Sequence, residues 1–478
     1  KGVNLVISPW NFPVAIPAGG LLASLASGNY AILKPASNAV ATAYLLCQCF
    51  WKAGVPKEVL QFLPCKSETL KPLLEENRFA SVILTGGTST ARNLLENNTY
   101  LNLFAETGGK NATIISAKAD KELAIKHVVQ SAFSNSGQKC SSTSLLILEK
   151  ELYDDEQFKI QLQDAVESHL VGSPWEFHYP ISSLAQPIGG ALHKAMTLSN
   201  KQYWVLKPQI DKSGYFLTPG IKYGVEVEDF DQQNELFGPI LSVLRADNLQ
   251  HAIIIANQSE YGLTSGIETL DENEISFWKS QIQAGNLYIN KPTTGAIVGR
   301  QPFGGLKASS FGQGLKAGGV NYVSQFLDIS TKSKDAAINP KVALLSKVFL
   351  TLSTQELELL SQAYDDAQHQ WKHYFSKEHE EIKIRGEENI MRYLPAKKII
   401  QIINRNDSLI NILLRLVQSS CLPGKVEVLV TNNQAHLSYN QMKVLKNRFG
   451  FKLGKFRSWR ELEKKLKPTT RIRVEIKE

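Results

Sequence analysis

The chemistry that the sequence offers most clearly centres on one thiol. Cys140 lies in the stretch Ser-Asn-Ser-Gly-Gln-Lys-Cys-Ser-Ser-Thr, residues 134–143, between a predicted helix over 121–136 and a predicted strand over 144–148. Cysteine is a strong nucleophile once ionised, and its pKa falls when a helix N-terminus or a cation such as Lys139 is close. The alternative is a small buried apolar residue, the usual state of an intracellular cysteine. The surrounding elements decide between these interpretations.

Polar residues follow several short apolar runs in the first part of the chain. These runs alternate with segments of helical length and spacing, which indicates a parallel sheet with helices on its faces. Ligands bind at the carboxyl ends of the strands in such sheets, so polar residues placed there are candidate site residues. The predicted strands are 3–7, 31–33, 60–63, 82–84 and 103–105, and the polar residues that follow are Asn11, Lys34, Thr85 and Glu106.

Taken together, these segments form a set that is specific in order and spacing. The set resembles the aldehyde dehydrogenase superfamily, in which the 34-residue spacing from Glu106 to Cys140 also recurs. The segments are Pro-Trp-Asn-Phe-Pro at 9–13, Lys-Pro at 34–35, Thr-Gly-Gly at 85–87, Glu-Thr-Gly-Gly-Lys-Asn at 106–111, Gly-Gln-Lys-Cys at 137–140, Asn-Glu-Leu-Phe-Gly-Pro at 234–239 and Pro-Phe-Gly-Gly at 302–305.

The resemblance covers residues 1 to about 328 and implies a fold. We expect an α/β protein with the parallel-sheet domains of an aldehyde dehydrogenase. Residues 1–107 would form a dinucleotide-binding domain that lacks its N-terminal part, because the family's first strands have no counterpart here. Residues 108–330 would form the catalytic domain and return to the nucleotide-binding domain. A homo-oligomer is also implied.

The resemblance further implies that an aldehyde is oxidised through a covalent adduct on Cys140. Attack by the thiolate gives a thiohemiacetal, which becomes a thioester on oxidation and is then hydrolysed. The Asn11 side-chain amide and the Cys140 backbone N–H would stabilise the oxyanion. Glu106 would be the general base, a role that needs a raised pKa. Without the resemblance, Glu106 would equally fit a solvated carboxylate at a strand end.

The cofactor implied by the resemblance is a nicotinamide dinucleotide. NAD is expected, and NADP stays open because Ser37 stands where the family has a glutamate that would repel a 2′-phosphate. Gly87 replaces the usual serine of the pyrophosphate turn, so that backbone N–H groups and the helix dipole would bind the phosphates. The residues assigned to the cofactor are Trp10, Lys34, Ser37, Thr85, Gly86, Gly87, Glu235 and Phe237.

The stretches 294–305 and 316–322 narrow the implied substrate. They resemble the L-glutamate-γ-semialdehyde (1-pyrroline-5-carboxylate) dehydrogenases, and especially the second enzymatic domain of the bifunctional proline utilisation proteins. The expected reaction is therefore oxidation of L-glutamate γ-semialdehyde to L-glutamate in proline catabolism, and another semialdehyde is the alternative. The implied substrate residues are Phe12 and Phe303 around the aliphatic chain, with Ser141, Gly295 and Ala296 at the α-carboxylate.

The last part of the chain predicts a further α/β domain. We expect a linker over 331–353 and a Rossmann-like domain over 354–478, which resembles the non-catalytic C-terminal domain of the longer proline utilisation proteins. That resemblance implies a proline dehydrogenase domain upstream of residue 1. The predicted elements are a helix over 354–375, strands over 399–403, 426–431 and 471–476, and a helix over 408–419.

Composition sets the remaining bounds. At 478 residues with a net charge of +8, the chain has the composition of a globular protein, and no apolar run is long enough for a membrane span. The five scattered cysteines lack metal-ligand spacing, so we expect no metal and a cytoplasmic location. After residue 333, 26 Lys and Arg face 16 Asp and Glu. This basic region would fit a scaffold or nucleic-acid-binding module, but a solvated basic face is the simpler interpretation.

Overall fold

The computed structural model describes residues 2–98, 100–199, 201–328, 337–404, 407–431, 437, 439–464 and 470–474. The chain divides after Asp328 into two compact units. The predicted α/β class is confirmed, because strands and helices alternate through most of both units. None of the helices in the described ranges has the length and apolar character that a membrane crossing requires.

The first sheet of the first unit has six strands, and their centres are almost entirely apolar. Leu5, Leu33, Leu60 and Val82 are all completely buried, as expected for strands covered on both faces. All strands are parallel except the last along the chain, which returns antiparallel to the edge. Their spatial order is Ser310–Phe311, Leu103–Glu106, Phe79–Thr85, Val3–Ile7, Tyr30–Lys34 and Leu60–Phe62.

The second sheet of this unit has seven strands and carries the strand that follows Cys140. Only the edge strand Tyr203–Leu206 is antiparallel to its neighbour. A small antiparallel pair, Tyr261–Gly262 with Leu306–Lys307, is separate from both large sheets. The order in the second sheet is Asn286–Ile289, Thr264–Glu268, Asn111–Ile115, Thr143–Glu149, Ile240–Ala246, Gly220–Tyr223 and Tyr203–Leu206.

Several helices of this unit begin at an aspartate or asparagine whose side chain accepts from a backbone N–H of the first turn. Asp120, Asp155, Asn248 and Asp271 all cap in this way, and each cap satisfies a donor that the helix leaves unpaired. The α-helices are Ala15–Ala26, Val40–Lys52, Ser67–Glu75, Thr88–Asn97, Lys121–Phe133, Lys150–Tyr153, Glu156–Glu167, Gly190–Ala195, Phe230–Gln233, Leu249–Asn257 and Glu272–Gln281, with 3₁₀ turns at Ser134–Gly137 and Tyr322–Phe326.

The second unit is built on a parallel sheet of four strands. Their order is Lys452–Lys455, Lys425–Val430, Lys398–Ile403 and Thr470–Val474. The strand that comes first of these four in the sequence, Lys398–Ile403, therefore lies between the second and the fourth. This is the order of a Rossmann-like half, and it agrees with the predicted architecture. Residues 475 and 476 of the predicted last strand lie outside the described residues. A two-stranded pair joins Glu378–His379 to Met391–Arg392.

Residues 331–336 of the predicted linker over 331–353 lie outside the described residues, and the part from 340 onwards is partly helical rather than extended. Residues Pro340–Ala343 form a short helix, and Leu344–Lys347 form a 3₁₀ turn. Val342, Leu345 and Phe349 are buried in the core of the second unit because the turn presents apolar residues on one side. The other helices of this unit are Thr354–Gln370, continued as a π-helix over Trp371–Phe375, then Leu409–Ser420, Tyr439–Phe449 and Trp459–Glu463.

The core of the second unit should be sensitive to side-chain truncation. Leu416 is 1% exposed and packs in this core, whereas Leu394 is 65% exposed. We expect Leu416→Ala to lower the free energy of unfolding by about 2–5 kcal/mol, since it leaves a cavity. Leu394→Ala should change it by no more than about 0.5 kcal/mol. Pulse proteolysis of the full chain across a urea series, read from fragments after residue 337, measures both values.

Candidate active site

The carboxyl ends of the first sheet and the turn before Thr143 face a common cleft. The cleft contains a cavity of about 210 Å³ that brings together residues from segments far apart in the chain. Nine of the predicted site residues line it: Trp10, Asn11, Thr85, Gly86, Gly87, Glu106, Cys140, Glu235 and Phe237. Trp10 and Phe237 meet edge to face, with ring centroids 5.6 Å apart.

The turn that carries the thiol is shaped by three consecutive residues in the left-handed backbone region. Asn135 and Ser136 each have φ of 56°, and Gly137 has φ of 67°. The helix therefore ends at Phe133 rather than at Ser136 as predicted. A side chain on Gly137 would overlap the carbonyl of Gly238, so this position needs glycine for space as well as for conformation.

The Cys140 residue is half-buried, and two carboxyl groups lie near its thiol. Burial raises its pKa to about 12, and the nearby carboxyls of Glu235 and Glu106 act in the same direction. The sequence suggested a lowered pKa for this thiol, with Lys139 as one cause, but burial outweighs such an influence and the pKa is raised. The Lys139 ammonium donates to Ser134 Oγ at 3.0 Å, and burial lowers the pKa of Lys139 itself.

Glu106 is held by donors rather than left in solvent. Its carboxylate accepts from the Gly305 backbone N–H at 3.0 Å and from Ser310 Oγ at 3.3 Å. Burial is the largest influence and raises its pKa to about 8, although these donors and the positive charge of Lys316 act in the opposite direction. A carboxyl with such a pKa can both release and accept a proton near neutral pH.

Glu235 lies on the other side of the cleft against a glycine pair. Its Oε1 accepts from the Gly109 N–H at 2.9 Å, and a side chain on Gly108 would overlap its carboxylate. Burial raises the pKa of Glu235 to about 7. Lys110, also buried, has its pKa lowered to about 7 by the same cause, and Glu235 and Asp231 oppose that shift.

The cleft has the features that a dinucleotide requires. The helix Thr88–Asn97 begins at Gly87 with no side chain capping its N-terminus, and a helix end of this kind favours an anion. A second, polar cavity of about 400 Å³ lies at this helix end. Gly87 and Glu235 line both cavities, so the N-terminus of this helix lies beside the space next to Cys140.

Seven predicted site residues do not line either cavity. Lys34 ends the strand Tyr30–Lys34, and Ser37 is exposed in the following turn. Ser141 is buried, with its backbone carbonyl accepting from Thr293 Oγ1 at 3.0 Å. The remaining four are Phe12 and Phe303, both half-buried, and Gly295 and Ala296, both exposed.

Sequence reasoning missed several residues that hold the site. The carbonyl of Gln138 accepts from Asn11 Nδ2 at 3.1 Å, and its side-chain Oε1 accepts from the Ala185 N–H at 2.9 Å. Lys316 donates to Asn286 Oδ1 at 3.1 Å and influences Glu106 through its charge. Gln138 and Lys316, like Lys110, lie within the sequence motifs on which the family resemblance is based. Their position in those motifs is the feature of the sequence that could have identified them.

Comparison with known proteins settles the family. A family model described as the aldehyde dehydrogenase family matches residues 1–332. The chain belongs to the aldehyde dehydrogenase family. Among curated relatives, the 1-pyrroline-5-carboxylate dehydrogenase of Geobacillus sp. (strain WCH70) is 33% identical over 347 residues, which is 70% of this chain and 66% of that protein. The chain thus spans slightly under two thirds of that relative.

Solved structures of aldehyde dehydrogenases extend the comparison. Proline Utilization A from Corynebacterium freiburgense has a TM-score of 0.81 at 31% identity, covering 99% of this chain and 48% of that one. A 1-pyrroline-5-carboxylate dehydrogenase from Thermus with bound NAD has a TM-score of 0.64 at 34% identity, covering 68% of this chain and 65% of that one. The match to Proline Utilization A therefore includes the second unit of this chain.

The raised pKa of Glu106 predicts how stability depends on pH. The folded protein keeps this proton up to about pH 8, whereas the ordinary carboxyl pKa is 4.5. The associated stability is complete below about pH 4.5 and is lost as pH rises towards 8. We expect Glu106→Gln to reduce this loss, as measured by urea unfolding at a series of pH values. If the free energy of unfolding of Glu106→Gln depended on pH as it does in the wild type, the prediction would be contradicted. The same would hold if the exposed control Glu75→Gln changed this dependence equally.

Proposed function

We propose that this aldehyde dehydrogenase oxidises L-glutamate γ-semialdehyde to L-glutamate, using Cys140 as its nucleophile. The observation that carries the proposal is the convergence of Cys140, Glu106 and Asn11 on one cavity beside an uncapped helix N-terminus. The names of the relatives support the choice of substrate, since they are 1-pyrroline-5-carboxylate dehydrogenases.

The first requirement of the mechanism is an ionised sulfur. Because burial and two carboxyls oppose ionisation of Cys140, the thiol proton needs an acceptor inside the cleft. Glu106 is the proposed acceptor, since its pKa of about 8 makes its carboxylate a stronger base than an ordinary glutamate. The thiolate then adds to the aldehyde carbon. Glu106 would release the thiol proton to solvent before hydrolysis. Its carboxylate would then take a proton from the water that attacks the thioester, and the Cys140 sulfur would leave as the thiolate.

The second requirement is a set of donors for the oxyanion that thiolate attack creates. Asn11 Nδ2 uses one of its hydrogens on the Gln138 carbonyl, which orients the amide and leaves the other hydrogen free for the cavity. The backbone N–H of Cys140 is the second proposed donor. Both are anchored to the same turn, so they hold their positions before the charge develops.

NAD is the proposed cofactor, and NADP stays an alternative because Ser37 provides no acidic group at the adenosine end. When bound, a nicotinamide dinucleotide supplies the acceptor for the hydride that leaves the substrate carbon. Thr85, Gly86 and Gly87 would bind its phosphates. Trp10, Lys34, Ser37, Glu235 and Phe237 are the other residues proposed to hold it.

The proposed substrate contacts are Phe12 and Phe303 for the chain and Ser141, Gly295 and Ala296 for the α-carboxylate. Gly295 has φ of 91°, which is compatible with a turn that exposes backbone N–H groups. The similarity of both units to Proline Utilization A also supports the proposal that a proline dehydrogenase domain of the full-length protein supplies the substrate.

Turnover tests the function directly. The full chain should reduce NAD when 1-pyrroline-5-carboxylate is added, and the absorbance of the reduced cofactor measures the rate. In a panel of aldehydes that includes succinate semialdehyde, the chain should prefer 1-pyrroline-5-carboxylate. Cys140→Ala should abolish turnover while NAD binding stays measurable by calorimetry, because the cofactor residues are intact. The exposed Cys49→Ala should keep wild-type turnover. Turnover retained in Cys140→Ala would refute the mechanism, and preference for another aldehyde would refute the substrate.

Loss of the oxyanion donor should appear in the chemical step. We expect Asn11→Ala to lower kcat by about 10²–10³-fold, the usual effect of removing one such donor. Asn97→Ala, at the exposed end of a helix, serves as the matched asparagine control. Single-turnover kinetics distinguish this effect from slower product release. An equal loss in both variants would argue against a role for Asn11 in the reaction.

A further inference from the structure

The backbone carbonyls of the three residues that begin with the nucleophile are all bound by buried side chains. Asn111 Nδ2 donates to Cys140 O at 2.6 Å and to Ser142 O at 2.9 Å. Thr293 Oγ1 donates to the intervening Ser141 O at 3.0 Å, and Thr264 Oγ1 donates to it at 3.3 Å. Both hydrogens of the Asn111 amide are therefore used on this loop.

The orientation of the Asn111 amide is fixed by its other end. Its Oδ1 accepts from the Thr264 backbone N–H at 3.0 Å, and the whole residue is only 2% exposed. The reversed amide would place an oxygen against two carbonyl oxygens and an NH₂ against an N–H, so only one orientation satisfies every group. Asn111 also lies at a register shift between its strand and Thr143–Glu149, which directs it towards the loop.

Close approach of this loop depends on Gly109. A side chain at Gly109 would lie 2.7 Å from both Asn111 Oδ1 and Cys140 O. Such a contact is much shorter than van der Waals distance, so any larger residue there would separate the amide from the carbonyl it binds.

Holding the carbonyl of Cys140 also sets the direction of the next N–H. The Cys140–Ser141 peptide bond is trans, so its C=O and N–H point in opposite directions. With the oxygen on Asn111, the Ser141 N–H lies on the opposite side of the peptide, where it is a backbone donor to the Cys140 sulfur. The backbone N–H groups of Cys140 and Ser141 both lower the pKa of the thiol, against the burial that raises it.

We propose that Asn111 is a positioning residue that holds the Cys140–Ser141 peptide with its N–H towards the sulfur, and so promotes formation of the thiolate. Asn111 lines neither cavity, so its effect on the sulfur passes through the loop carbonyls that it binds. The inference deepens the proposed function, since it rests on Cys140 being the nucleophile. Ionisation of the sulfur can nevertheless be measured without aldehyde or cofactor.

The test compares the alkylation of Cys140 in the wild-type chain and in Asn111→Leu, which keeps the branched shape of the side chain but has no donor. The second-order rate constant for iodoacetamide is measured from pH 6 to pH 10 by mass spectrometry of the peptide that contains Cys140. At pH 8 we expect it to fall by about 10- to 100-fold, with the profile moved to higher pH, because an N–H donor to a charged group shifts a pKa by about one to two units.

Asn4→Leu is the matched control for removing a buried asparagine. Asn4 is 1% exposed, and its amide binds Ser24 and Ser81 in the first sheet rather than the nucleophile loop. This variant should keep the wild-type alkylation profile. If Asn111→Leu does not fold, Asn111→Ala, which leaves room for the loop to relax, carries the same expectation.

Coincident profiles for Asn111→Leu and the wild-type chain would overturn the proposal, as would an equal shift in Asn4→Leu. A different result is that the wild-type chain oxidises no aldehyde while Asn111→Leu still shows the expected shift of the alkylation profile. That result would support the role of Asn111 and refute the proposed function instead. The two proposals therefore fail separately.

Discussion

The glycine pair Gly108–Gly109 is the steric constraint on which the site depends. One glycine meets the carboxylate of Glu235, and the other meets the carbonyl of Cys140 and the amide of Asn111. Neither has a positive φ, so the requirement is for space rather than for unusual backbone conformation. The pair begins two residues after Glu106, in the short connection between the two sheets. Its lack of side chains lets the carboxylate of Glu235 and the backbone of Cys140 approach the same connection.

That proximity has an electrostatic cost that the backbone partly offsets. Burial raises the pKa values of Glu106, Glu235 and Cys140, and the two carboxyls raise that of Cys140 further. The Gly305 and Gly109 N–H groups stabilise the two carboxylates. The result is a set of acids that titrate near or above neutral pH, where small changes in the surroundings can move a proton between them.

The sequence predicted the strands well because buried parallel strands are continuous apolar runs, and those before Asn11, Lys34, Thr85 and Glu106 are all present. It could not predict the donors to Glu106, which come from residues 305 and 310 and approach only in the folded chain. Likewise, the expected low pKa of Cys140 considered Lys139 but not burial. The predicted helix extended beyond Phe133 because the residue types at 135 and 136 do not reveal that Asn135 and Ser136 adopt left-handed backbone angles.

The same turn couples the nucleophile to the proposed oxyanion donor. Asn11 binds the Gln138 carbonyl, two residues before Cys140, while the Gln138 side chain is held by Ala185. Asn111 binds the carbonyl of Cys140 itself from the second sheet. A shift of the turn would therefore carry Asn11 and the sulfur in the same direction and preserve their separation. This shared attachment explains how groups from two sheets can keep the accuracy that oxyanion stabilisation requires.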